Sequence, residues 1–193
     1  MFKKAVILHG TLGSPAGNWF QWLQTELARM GMEVWLPQLP HAEQPSLREW
    51  SEFVQQECPF AIDQETLAVG HSSGAILALI LAQQNSVPVG AVVCVSVFHD
   101  NSLQWEPNNR LFDVPFDWPA IQQKTKQLLF IHSDDDPYVP LDQARYVAEH
   151  CSAEIVVIPG QGHFNLEKSE SYKEFPALLE VLHQKAITLW LSL

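Results

Sequence analysis

Residues Thr66 to Leu77, TLAVGHSSGAIL, constrain the chain more than any other stretch. Thr66 to Val69 is a short apolar run of strand length. Ala75 to Leu81 is apolar on every side, as a helix buried at the centre of a domain is. Between them only Gly70-His71-Ser72-Ser73-Gly74 is left to turn the chain. So tight a strand-to-helix turn leaves no room for side chains two residues either side of its apex, where the glycines stand. The apex residue sits in strained backbone, with its side chain lifted above the end of the strand. Here it is a serine, and the following helix aims its first N–H groups at the same point, a favourable place for a developing negative charge. Ser72 is the expected nucleophile, and Ser73 supplies the first of those N–H groups.

The surrounding sequence alternates strand and helix. Ala5 to Leu8 is a continuous apolar run, expected as a strand buried on both faces, and it ends in His9-Gly10-Thr11-Leu12-Gly13-Ser14. Trp19 to Met30 carries Phe20, Leu23, Leu27 and Met30 at helical spacing, with Gly31 as the stop. A second strand is expected at Met32 to Leu36. Pro37, Pro40 and Pro45 then refuse helix, until Ser46 and Glu49 form a capping pattern for a helix bearing Leu47, Trp50 and Val54. Further strands are expected at Ala91–Val97, Leu128–Ile131 and Glu154–Ile158. Helices are expected at Leu141–His150 and from Pro176 through Ala186, proline being suited to a first turn. Leu189 to Leu193 reads as the buried end of an amphipathic helix. The alternation implies a three-layer α/β/α sandwich around a six-stranded, mostly parallel sheet, in a single domain over residues 1–193. Right-handed crossovers place every strand's C-terminal end on one edge, where ligands bind near a reversal of strand order. Residues 99–119 are the longest stretch without a period. They hold Trp105, Leu111, Phe112, Phe116 and Trp118 and form a small cap-like segment.

Composition removes several function classes. The formal charge is −11, and the 11 Lys and Arg are scattered. Nucleic acid and anionic membrane surfaces are therefore not expected partners. Cys58, Cys94 and Cys151 have no C-x-x-C or metal spacing, and a sparse, odd count fits reduced thiols in the cytoplasm. The apolar run after Lys3 and Lys4 is too short for a signal-peptide core, and no segment has the length of a membrane span. No cofactor is expected.

A serine hydroxyl needs a base to take its proton, and the base needs a third group to orient it. Of eight histidines, His163 follows the last expected strand in Pro159-Gly160-Gln161-Gly162-His163-Phe164, where the glycines let it reach back. His150 and His183 fall on helices, and His41 in the proline-rich connection. His9, His71, His99 and His132 stand near strand ends. Their spacing fits no metal motif. The acid comes from His132-Ser133-Asp134-Asp135-Asp136-Pro137, between Ser72 and His163 in the order Ser, acid, His. Asp134, Asp135 and Asp136 are all candidates, and Asp100, past the fourth strand, is another.

Taken together, these motifs resemble the small YdeN-type serine hydrolases of the α/β-hydrolase superfamily, a group that includes a retinoblastoma-binding protein. The likeness spans nearly the whole chain: His9-Gly10 with Trp19 and Trp22, Gly70-His71-Ser72-Ser73-Gly74-Ala75, the Asp-Asp-Pro-x-x-Pro stretch, and Gly162-His163-Phe164. A histidine often precedes the first tryptophan in relatives; here Asn18 stands there. The resemblance implies that the acid is Asp136, with Asp135 as the alternative. It implies an acyl-enzyme mechanism in which the Ser73 N–H and an N–H of Thr11 hold the oxyanion. A small neutral carboxylic ester is the expected substrate, with Phe112, Phe116 and Trp118 as its apolar contacts. Thioesterase, peptidase or acyltransferase use of the same residues is an alternative. So is a protein-binding module on a retained hydrolase scaffold.

Overall fold

Successive side chains of a strand point to opposite faces, so the apolar runs of this chain must be covered on both sides. The computed structural model, which describes residues 2–100 and 110–185, shows how. Six strands, β1 (Lys4–Leu8), β2 (Glu33–Trp35), β3 (Thr66–His71), β4 (Val89–Val95), β5 (Thr125–His132) and β6 (Glu154–Val157), pair in the order β2-β1-β3-β4-β5-β6, every pair parallel. Val6, Leu8, Ala68, Val92, Cys94 and Phe130 face α2 (Leu47–Glu57), α3 (Ser73–Gln84), α4 (Trp118–Lys124) and α5 (Leu141–His150). Ala5, Ile7, Leu67, Val69, Val93 and Ile131 face α1 (Phe20–Arg29) and α6 (Pro176–Gln184). The result is one domain of three layers, as the alternation of elements implies.

Local chemistry sets the helix ends. The Ser46 hydroxyl accepts the Glu49 N–H at 3.1 Å and opens α2, while the Glu49 carboxylate turns to His41. Gly31, at φ +84, ends α1 in a backbone conformation that side chains disfavour. Pro176 occupies the first turn of α6. Helix α3 is buried from Ser73 to Ala82, so its sequence is apolar all round rather than striped.

One element departs from expectation. Helix α4 begins on Trp118 and Pro119, the last two residues of the stretch expected to lack periodicity, and runs on beyond it; Asp117 caps its first turn by accepting the Ala120 N–H at 3.0 Å. Seven residues with Ile121 as the buried one leave no period to detect. Trp105, the rest of 101–109, Ala186 and the Leu189–Leu193 run lie outside the described residues. Among the described residues, no helix is long and apolar enough to cross a membrane.

The chain leaves β1 for the edge strand β2, then returns to β3 on the other side of β1. Strand order reverses there. The loop after β1 and the turn after β3 therefore meet at one crevice above the sheet.

Candidate active site

Ser72 stands at the turn between β3 and α3 with φ 57 and ψ −125. Two glycines make that turn sterically allowed. A Cβ on Gly70 would lie 2.2 Å from the Gly74 carbonyl oxygen, and one on Gly74 would lie 2.3 Å from that of Leu8. The Ser72 N–H is tied to the Val95 carbonyl at 2.8 Å, while its hydroxyl does not cap the helix it precedes. Gly10 closes on it from the loop after β1: a Cβ there would meet Ser72 Cβ at 2.9 Å.

His163 arrives from the far side of the sheet. Gly162 takes φ +58, which swings the chain after β6 back over the strand ends. The His71 Nε2–H donates to the His163 carbonyl at 2.8 Å, and Trp19 Nε1 donates to that of Phe164 at 3.0 Å. His71, the residue before Ser72, thus anchors the backbone of His163, and Trp19, at the N-cap of α1, that of the residue after it. Its ring Nδ1 donates to Asp136 Oδ2 at 2.8 Å.

The Asp136 carboxylate is fully buried and has four donors. His163 Nδ1 and Ser96 Oγ, at 2.9 Å, share Oδ2. The Tyr138 and Val139 N–H groups, each at 3.0 Å, reach Oδ1. Burial alone would raise its pKa. The hydrogen bond and charge of His163, with the two N–H groups, outweigh burial and hold it below the usual carboxylate value. Below it, His132 donates Nε2–H to the Val139 carbonyl at 2.9 Å, pinning the turn that carries Asp136.

The other carboxylate candidates go elsewhere. Asp135 accepts from Gly162 N, Ser133 Oγ and Lys168 Nζ. Asp100 lies beside His99, 3.4 Å from its Nδ1, and near Gln143.

Ser72 and His163 line one cavity of about 380 Å³, with Thr11, Leu12, Tyr138 and Glu167 among its walls. Thr11 and Ser73 are adjacent across the crevice. The Thr11 N–H, expected to face the substrate, instead donates to Ser73 Oγ at 2.7 Å. Phe112, Phe116 and Trp118, expected as substrate contacts, are not among the described residues of the cavity wall. They pack on the α2–α5 side of the core, with Phe116 and Trp118 stacked at 4.4 Å. Burying apolar area against that layer is the stronger pull for rings so placed. Among the described residues, no group of three or more His, Cys, Asp or Glu is arranged to hold a metal ion.

The family model for serine hydrolases matches residues 5–184. The chain belongs to the serine hydrolase family. Within it, this hydrolase is 28% identical over 184 residues to YdeN of Bacillus subtilis, covering 94% of this chain and 95% of that protein. It is also 28% identical over 181 residues to the serine hydrolase RBBP9 of Rattus norvegicus, covering 91% and 95%. The crystal structure of the B. subtilis ydeN gene product superposes with a TM-score of 0.84 at 25% identity, over 96% of this chain and 99% of that one. Est1E from Butyrivibrio proteoclasticus shares the fold, with a TM-score of 0.69 at 16% identity over 96% and 87% of the chains.

Several residues of this hydrolase's site carry no signal in the sequence. Ser96, immediately after β4, takes a left-handed conformation, φ 54, a rare cost for a residue other than glycine. Its position at a strand's C-terminal end is the one available hint. Tyr138 and Glu167, joined by a hydrogen bond, form part of the cavity rim, and the Tyr138 ring lies edge-on to that of His163.

Proposed function

We propose that this serine hydrolase cleaves small, neutral carboxylic esters through Ser72, His163 and Asp136. The observation that carries the proposal is the Asp136–His163 hydrogen bond beside a cavity that Ser72 also lines. With Nδ1–H committed to Asp136, the neutral ring presents an unprotonated Nε2, the form that accepts a serine proton. Ser72 Oγ attacks the carbonyl carbon as His163 takes the proton. The tetrahedral oxyanion forms over the N-terminus of α3, where the Ser73 N–H has no partner within the helix. Collapse expels the alcohol, which receives the proton from His163. Water then repeats the sequence and releases the acid, restoring Ser72.

Cavity size and charge narrow the substrate. About 380 Å³ is near the lower end for ligand pockets. Glu167 is the one carboxylate among the described residues lining it, and no Lys or Arg is there to receive an anion. The free thiols of Cys58, Cys94 and Cys151 fit work in a reducing cytoplasm. Burial raises the Cys94 and Cys151 thiols, which keeps them protonated and inert.

Fluorophosphonate labelling and p-nitrophenyl acetate turnover, on wild type and Ser72→Ala, test the proposal. Covalent labelling and turnover by wild type alone are expected. Turnover retained by Ser72→Ala, or no labelling of folded wild type, would overturn it.

A further inference from the structure

An oxyanion above α3 needs a second donor besides the Ser73 N–H, and the loop after β1 is the element placed to provide it. Gly10 touches Ser72: a Cβ on it would lie 3.4 Å from Ser72 Oγ. Thr11, the next residue, lines the cavity. Its backbone N–H is committed, at 2.7 Å, to Ser73 Oγ. Its hydroxyl oxygen lies 2.7 Å from that same atom.

Counting protons fixes the direction of the second bond. Ser73 is fully buried, and among the described residues its hydroxyl contacts Thr11 alone. If Thr11 donated its hydroxyl proton to Ser73, the Ser73 proton would be left buried without an acceptor, at a cost of about 1–3 kcal/mol. If Ser73 donates to Thr11 Oγ1, every buried proton is used. The proton left over is that of the Thr11 hydroxyl, the member of the pair that reaches the cavity.

We propose that the Thr11 hydroxyl, oriented by Ser73 Oγ, is the second oxyanion donor. The Thr11 N–H fixes Ser73 Oγ, Ser73 O–H fixes Thr11 Oγ1, and Thr11 O–H is delivered to the substrate oxygen. No proton is transferred; each group donates a hydrogen bond. Ser73 then serves twice, through its backbone N–H toward the oxyanion and through its hydroxyl toward Thr11. This rests on Ser72 acting as the nucleophile.

The test compares wild type, Thr11→Val, Thr11→Ser and Ser73→Ala, each checked for folding by thermal melting. Thr11→Val keeps the N–H and the shape and deletes the hydroxyl. The expected result is a fall of about 100-fold in kcat on p-nitrophenyl acetate, with KM within about threefold. Thr11→Ser recovers at least about tenfold of that loss. Ser73→Ala, which frees the Thr11 hydroxyl to rotate, loses about tenfold. On a thionoester, whose developing sulfur anion accepts hydrogen bonds weakly, wild type and Thr11→Val should differ by less than about tenfold. A folded Thr11→Val within threefold of wild type, or an equal loss on ester and thionoester, overturns the assignment. Should Thr11→Val not fold, Ser73→Ala with unchanged kcat overturns it instead. Wild type that neither labels with fluorophosphonate nor turns over ester contradicts the Ser72 reading itself, a result separable from all of these.

Discussion

Asp135 accepts the backbone N–H of Gly162 at 2.6 Å, so the carboxylate next to Asp136 holds the residue next to His163. Its neighbours behave in kind. Asp134 accepts the Gly160 N–H at 2.8 Å, and Asp136 takes the His163 ring nitrogen. Three adjacent carboxylates, which would repel one another in isolation, are each matched to a different donor on one loop. Lys168, 2.7 Å from Asp135, adds a charge of opposite sign.

Asp136→Asn and Asp135→Asn are therefore expected to differ sharply. An asparagine at 136 offers the ring an amide donor in place of a carboxylate and favours the wrong tautomer. kcat on p-nitrophenyl acetate should fall about 10⁴-fold. Asp135→Asn leaves the ring's partner intact and loosens only the loop, so a fall of about tenfold or less is expected. Equal losses in the two variants would show that orientation of the loop, rather than the ring's tautomer, governs the rate.

Ser96 contributes a hydrogen bond to a buried charge, a kind worth about 1.5–3 kcal/mol. Ser96→Ala should lower the melting temperature by roughly 3–12 °C, at 2–4 °C per kcal/mol for a chain of this size. At φ 54 the backbone suits glycine, so Ser96→Gly should be the more stable of the two variants. Thermal melts of the pair decide; an alanine variant as stable as glycine would mean that the conformation carries no strain.

His71 makes stability depend on pH. Burial first, and the nearby charge of His163 second, push it down to about 3. Between pH 3 and 6.5 the unfolded chain binds a proton there that the folded chain does not, so stability rises with pH across that window and is lost as pH falls. Burial lowers His9 and His132 in the same sense. Each histidine adds at most about 1.4 kcal/mol per pH unit. Melting temperatures taken from pH 7 to 4 should drop, and His71→Asn should flatten the slope. An unaltered slope would assign the acid sensitivity to His9, His132 and the carboxylates held below their usual value, Asp136 among them.

Gly74→Ala tests the packing that permits the turn. The added methyl would lie 2.3 Å from the Leu8 carbonyl and 2.4 Å from that of His9, both backbone atoms of the loop-bearing strand. Overpacking of that kind costs about 1–3 kcal/mol or more. The expected variant is destabilised by roughly that amount and inactive on p-nitrophenyl acetate even where folded. Wild-type turnover would mean that β1 can yield without disturbing the crevice.

The turn was legible because its glycines answer a steric demand that few other sites make, and Ser72 sits between them. The position of His163 was legible because a parallel sheet sends every strand end to one edge. Among the aspartates the sequence offered alternatives, because the carboxylate that faces the ring depends on how residues 136–139 fold onto Asp136 Oδ1. Ser96 left no trace, since a serine just after a strand is ordinary until its φ is known. Phe112, Phe116 and Trp118 carried no such signal, because aromatic residues look alike in a sequence whether they line a pocket or close a core. Helix α4 was too short to show a period.

The matched aspartates also give the two loops a reading frame. Removing one residue from Asp134–Asp136 would leave two carboxylates, Ser72 and His163 in place, yet shift which donor each carboxylate meets. This stretch can therefore absorb a change of side chain more readily than a change of length, and an insertion there is expected to abolish turnover with Ser72, Asp136 and His163 all still present.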